Sequence, residues 1–212
     1  MQYKDQSAEK EVQSVSFMLD LKKATAQNHL LLESNSLLSI LVSPLITIHH
    51  YYCYLALMKE VALSYEHIIS NHSSSLLPGW DRTVSSIAIA EDLYAIDYRL
   101  SSPPAIKNFK LSIGTNSTGF LLAFMYVMEG SKLGGKVIHK NINRILGFSG
   151  TNGAGYIADY GFDTGTRWKI FASLFSNYIV KENLQEQTIT GAKETFASIY
   201  KFFESNRQYY EI

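Results

Sequence analysis

Three side chains in the first quarter of the chain can act together. Lys22, His29 and Glu33 fall in Leu-Lys-Lys-Ala-Thr-Ala-Gln-Asn-His-Leu-Leu-Leu-Glu, residues 21–33. At about 100° per residue, Lys22 and His29 stand nearly two helical turns apart and project from one face, about 10 Å apart along the axis. Glu33 follows one turn beyond. An imidazole with one nitrogen steered by a carboxylate can offer its other nitrogen to a metal. A lysine on the same face can hold an anionic group of the same ligand. The same residues also suit a boundary histidine with a structural hydrogen bond beside two solvated charges, and this segment alone leaves both readings open.

A second constellation is Tyr-Val-Met-Glu-Gly-Ser-Lys-Leu-Gly-Gly-Lys-Val-Ile, residues 126–138. Gly130, Gly135 and Lys136 fit the opening positions of a phosphate-binding loop. Val137, however, stands where a hydroxyl would hold Mg²⁺, and no strand-helix-strand pattern surrounds it. Glycines at 130, 134 and 135 strip side chains from part of a helix, so a flat ligand or another helix can touch the backbone. Each costs about 1 kcal/mol relative to alanine in a helix interior, which calls for a compensating contact or a bend. Of the 13 glycines, 11 lie between Gly114 and Gly165.

The elements that position these residues read as helices. Residues 1–16 form a polar N-terminal extension, and apolar residues at helical spacing predict a helix over 17–35. Ser43-Pro44, a capping residue followed by proline, predicts the start of a second helix that runs to Ser70. A third spans Asp81 to Leu100, Ser-Ser-Pro-Pro then forces a turn, and a short helix follows over Ala105 to Leu111. The long segment from Thr118 to Leu146 lacks strand alternation and predicts a helix carrying the three glycines. Residues 147–165 read as an irregular connection, followed by helices over 166–183 and 190–206. The fold class is all-α, one domain over 17–212 with seven or eight helices.

The 212 residues are 46% hydrophobic and 18% charged, with 19 Lys+Arg against 19 Asp+Glu. Such a balance excludes a disordered polyelectrolyte and a highly basic nucleic-acid binder. Cys53 is the one cysteine, so no disulfide closes within the chain and a reducing compartment fits. It reads as a buried small hydrophobe among tyrosines rather than a nucleophile. Residues 1–16 carry no apolar signal core, and no later stretch is apolar for the length of a bilayer. The expectation is a cytoplasmic protein without membrane insertion. His139, one turn past Gly135, is expected at the solvent.

The two constellations together resemble haem oxygenases, particularly the bacterial biliverdin-forming type. Leu-Lys-Lys-Ala-Thr-Ala-Gln-Asn-His is similar to the segment that carries the proximal histidine of that family. The resemblance therefore implies His29 as iron ligand, Lys22 as propionate contact and Glu33 as neighbouring carboxylate. Tyr-Val-Met-Glu-Gly-Ser-Lys-Leu-Gly-Gly is similar to the bacterial distal helix, which implies Gly130, Ser131, Gly134 and Gly135 on the oxygen-binding side. Ser131 stands where many animal haem oxygenases have an aspartate, so proton delivery must be organised differently. Lys136 replaces a common glutamine and is either a surface change or a charge near the pocket mouth. Lys132 and Arg167 are candidates for a second propionate partner.

The resemblance extends more loosely through residues 49–60 and 161–171. It implies a single-domain haem-oxygenase-like multi-helix bundle with haem as substrate and cofactor together. Its other partners would be O₂ and an external electron donor such as a ferredoxin or flavin reductase, and its products biliverdin, CO and Fe²⁺. The alternative is a haem-binding or haem-storage protein of the same fold without turnover.

Overall fold

The computed structural model describes residues 2–70, 76–80, 85–97, 106, 108–111, 117–158 and 163–211. Eight α-helices lie among them: α1 (Gln2–Glu33), α2 (Ser36–Ile40), α3 (Ile48–Ser70), α4 (Ser85–Asp97), α5 (Thr118–Leu146), α6 (Gly155–Ala158), α7 (Thr164–Lys181) and α8 (Gln185–Ser205). No described helix is long and apolar enough to cross a membrane.

Local chemistry decides where these helices begin and end. α1 starts at Gln2, so the polar extension belongs to the same helix as His29. Asn35 stops it and caps α2, its side chain accepting from the Leu37 amide. α3 begins at Ile48 rather than at Ser43-Pro44. Thr47 takes the capping role by accepting from the His50 amide at 3.2 Å, while Ser43 closes a turn by accepting from the Leu45 amide at 3.1 Å.

α4 is set from a distance. One oxygen of Glu66 in α3 accepts from the amides of Ser85 and Ser86 at 2.8 and 2.9 Å, and the other accepts from the Ser86 hydroxyl. A carboxylate from another helix thus satisfies the first orphan donors and complements the helix dipole. The expected extensions over 81–84 and 98–100 lie outside the described residues. No helix forms at Ile106 or over 108–111, and the rest of the expected short helix lies outside the described residues.

α5 runs unbroken through Gly130, Gly134 and Gly135 and ends at Gly147, which has a φ of 77° and donates its amide to Asn143. α7 and α8 meet in a tight turn. Asn183 takes the left-handed conformation at a φ of 56°, and the Leu184 amide reaches back to Ile179 at 3.0 Å. Chain reversal is complete by residue 185, which is why α8 starts a full turn before the expected residue 190.

α5 occupies the centre, packed on α8, α7, α6 and α3, while α1 lies along α7 and α8. Its close seat on α8 comes from two glycines. A Cβ on Gly119 would stand 2.6 Å from Gln187, and one on Gly191 would stand 2.9 Å from Ala123 and 3.0 Å from the Phe120 backbone. Substitution at either position would push the two helices apart.

Replacing Glu66 with alanine strips the amino end of α4 and is expected to destabilise the protein by about 1–2 kcal/mol. Thermal denaturation would register this as a midpoint lowered by about 2–6 °C, with Glu66→Gln losing less because it keeps one acceptor.

Candidate functional site

The relative direction of three helices is readable from their contacts. The Asn28 side chain donates to the Lys193 carbonyl, the His29 ring meets the edge of Phe196 at 5.5 Å, and Asn35 donates to Glu204 at 2.6 Å. Advancing along α1 therefore advances along α8. Gly119 faces Gln187, and Ala123 faces Gly191, so α5 advances along α8 in the same sense. α1 and α5 thus run parallel past a shared neighbour.

A side-chain hydrogen bond ties these parallel helices together, between Thr25 of α1 and Tyr126 of α5. The Thr25 hydroxyl also donates to the Leu21 carbonyl at 2.8 Å, beside its bond to Tyr126. Burial pushes the Tyr126 hydroxyl above its ordinary range, opposed by this bond. One turn beyond the bonded pair, α1 reaches His29 and α5 reaches Gly130. His29 and Gly130 therefore stand at the same level of the two helices.

On the α1 side, His29 Nδ1 stands 3.3 Å from Glu33 Oε2, with the two side chains 54% and 61% exposed. A contact so open to water adds little to stability. A carboxylate at that position favours the tautomer with the proton on Nδ1, in which Nε2 keeps its lone pair for a ligand. Phe196 packs at the edge of the ring and limits its rotation. Lys22 is exposed on the same helical face. Among the described residues, no three His, Cys, Asp or Glu side chains converge to hold a metal ion, so His29 offers its nitrogen singly.

On the α5 side, the three glycines divide. A Cβ on Gly134 would meet nothing within 4 Å, and one on Gly130 would make ordinary contact, 3.5 Å from the Trp168 ring. Leu133 and Val137, exposed on the same stripe, extend an apolar face along the helix. Gly135 lies about 140° around α5 from Gly130. Its missing Cβ leaves room for the carbonyl of Ile157, which would otherwise stand 2.8 Å away. Gly135 serves the seating of α6, while Gly130 lies against Trp168 and Gly134 is open.

The remaining expected site residues are engaged elsewhere. Ser131 donates its hydroxyl to the Met128 carbonyl at 2.8 Å, back onto its own helix. Lys132 pairs with Glu129 at 3.4 Å, with side chains 10% and 4% exposed. It borders a small cleft with Tyr54, Tyr156 and Thr164, on the side of α5 away from Gly130. Arg167 lies 5.3 Å over the Trp80 ring. Lys136 is exposed. His139, expected at the solvent, continues the face of Gly135; its Nε2 is buried with no hydrogen-bond partner among the described residues.

Cys53 is buried beside His49 and the Tyr209 carbonyl, and burial pushes its thiol up to about 12. A thiol so rarely ionised is no nucleophile at neutral pH. The Thr25–Tyr126 bond and the Phe196 contact were absent from the sequence reading. The first had a signal, because each partner stands four residues before a singled-out residue; the second depends on a long-range approach.

Known structures share this arrangement of helices. A haem oxygenase from Leptospira interrogans matches with a TM-score of 0.73 at 17% identity, covering 90% of this chain and 99% of its own. A haem oxygenase from Neisseria meningitidis, solved with NO and CO bound, matches with a TM-score of 0.69 at 21% identity, covering 89% and 92%. These likenesses define the fold as that of bacterial haem oxygenases. The sequence profile of the family described as Heme oxygenase matches residues 15–205, and the chain belongs to that family. No curated protein sequence matches it.

The two kinds of glycine are distinguishable by unfolding the ligand-free protein in urea. Gly134→Ala is expected to stabilise it by about 1 kcal/mol, since helix propensity improves and nothing is displaced. Gly135→Ala should destabilise it by about 1–3 kcal/mol, because the new methyl group meets the Ile157 carbonyl.

Proposed function

We propose that the chain is a haem-degrading oxygenase that takes haem as its substrate in the gap between His29 and the Gly130–Gly134 face, and opens it with O₂ and an external reductant to biliverdin, CO and Fe²⁺. The observation that carries this reading is the pair of mid-helix glycines at the level of His29, one of them facing nothing within 4 Å. Together they cost α5 about 2 kcal/mol of helix propensity. No packing against Gly134 offsets its share, and Gly130 has only ordinary contact with Trp168. A flat ligand lying on the bare backbone supplies a compensating contact. The parallel course of α1 and α5 supports the same reading, since both walls follow the Thr25–Tyr126 bond in the same direction.

The residues fit haem in chemistry as well as in shape. Iron already held by four ring nitrogens needs one protein nitrogen, and His29 supplies one. Glu33 stands 3.3 Å from His29 Nδ1 and favours the tautomer that leaves Nε2 for the iron. Lys22 is available for one propionate. When bound, haem supplies the oxygen-activating and ring-opening chemistry itself, with electrons delivered from outside. The contribution of α5 would be steric: backbone without side chains at 130 and 134 would let the flat face of haem lie close against the helix. The Ser131 hydroxyl is spent on the Met128 carbonyl, so this arrangement brings no acid of its own to the distal face.

The decisive experiment is anaerobic haem titration followed by O₂ and reductant. The expected result is a saturable Soret band that decays as bilin absorbance appears and CO is released. His29→Ala is expected to abolish the axial-ligand spectrum and turnover while leaving the helical circular dichroism unchanged. An unaltered spectrum in that variant would overturn the ligand assignment. A wild-type complex that keeps its Soret band and yields no bilin would make the chain a haem-binding protein of this fold.

A further inference from the structure

The back of the glycine turn of α5 is held by a device that neither constellation contains. Asp92 is buried in α4, and its two oxygens accept from the amides of Gly155 and Tyr156 at 2.8 Å each. A Cβ on Gly155 would crowd one of those oxygens at 3.3 Å. α6, which these amides open, is a single turn of four residues. So short a helix cannot sustain itself and takes its geometry from whatever binds its ends. Its second support is a side-chain hydrogen bond between Tyr156 and Tyr54 of α3.

The next residue transmits that geometry to α5. The carbonyl of Ile157 faces the bare backbone of Gly135, where a Cβ would stand 2.8 Å from the oxygen. This is backbone on backbone, with no flexible side chain between to absorb a displacement. Gly134, which faces the gap, is the adjacent residue on the same turn. A shift of α6 toward or away from α5 therefore moves the wall that faces the substrate.

We propose that Asp92 is a positioning residue: by fixing the amino end of α6, it sets how far the Gly130–Gly135 turn stands from the gap in front of it. It touches neither the gap nor His29 and acts only through Ile157 and Gly135. The coupling is a property of the ligand-free protein; its effect on haem rests on the function proposed above.

The test compares wild type, Asp92→Asn and Asp92→Ala. In ligand-free Asp92→Ala, which loses both hydrogen bonds to α6, hydrogen exchange accelerates together at amides 155–158 and 130–136 by at least about tenfold. Amides 20–33 of α1 keep their wild-type rates. Asp92→Asn retains one acceptor oxygen and falls between the two. In the ferrous haem complex, the stretching band of bound CO shifts in Asp92→Ala while the His29-ligated spectrum is retained. Faster exchange confined to 155–158, or rising uniformly through the chain, overturns the coupling. An unmoved CO band overturns its reach to the substrate. Gly135→Ala perturbs the same interface from the other side and reproduces the exchange pattern, so it decides the matter if Asp92→Ala does not fold. Should wild type bind no haem, the proposed function fails while the exchange measurements still judge the coupling.

Discussion

The backbone approach of α5 to α8 through Gly119 and Gly191 is the constraint on which the rest of the molecule depends. Gly119 faces Gln187 and Gly191 faces Phe120 and Ala123, each too closely for a side chain of its own. Two helices in such contact have little freedom to slide or rotate. α1 is then registered on α8 by the Asn28 and His29 contacts at one level and by Asn35 at another. Two helices registered on a common third acquire a defined relation to each other, and the Thr25–Tyr126 bond closes the triangle. The common level of His29 and Gly130 is thus set by the packing of both helices on α8.

Within α5, glycine does two incompatible kinds of work only a few residues apart. At 119 and 135 it admits another part of the chain, and the helix recovers its lost propensity as tertiary contact. At 134 nothing arrives within 4 Å. Gly134 therefore leaves a deficit in the ligand-free protein, and anything that binds the native face but not the unfolded chain shifts the folding equilibrium in proportion to its occupancy. The exposed apolar stripe of Leu133 and Val137 has the same character.

The parts of this design that were legible in the sequence are those governed by local geometry. The span from Thr118 to Leu146 was readable at both ends because Gly147 supplies an unambiguous stop. The His29–Glu33 contact followed from a four-residue spacing on a continuous helix. What escaped was determined by distant partners. The start of α8 depends on the left-handed Asn183. Gly135 could not be told from Gly130 and Gly134 because the difference lies in the carbonyl of Ile157. Lys132 and Arg167 looked available because their engagement with Glu129 and with the Trp80 ring is fixed only by burial and packing.

Chemistry with iron and oxygen releases peroxide when it goes astray, and the first protein group to suffer is an accessible thiolate. The sole cysteine of this chain is enclosed between His49 and the carbonyl of Tyr209, with its ionisation displaced to about 12. It stays a thiol throughout the physiological range and is shielded from solvent oxidants. That shielding rests on the seating of the carboxy-terminal segment: a frayed Tyr209 would expose the one sulfhydryl of the chain.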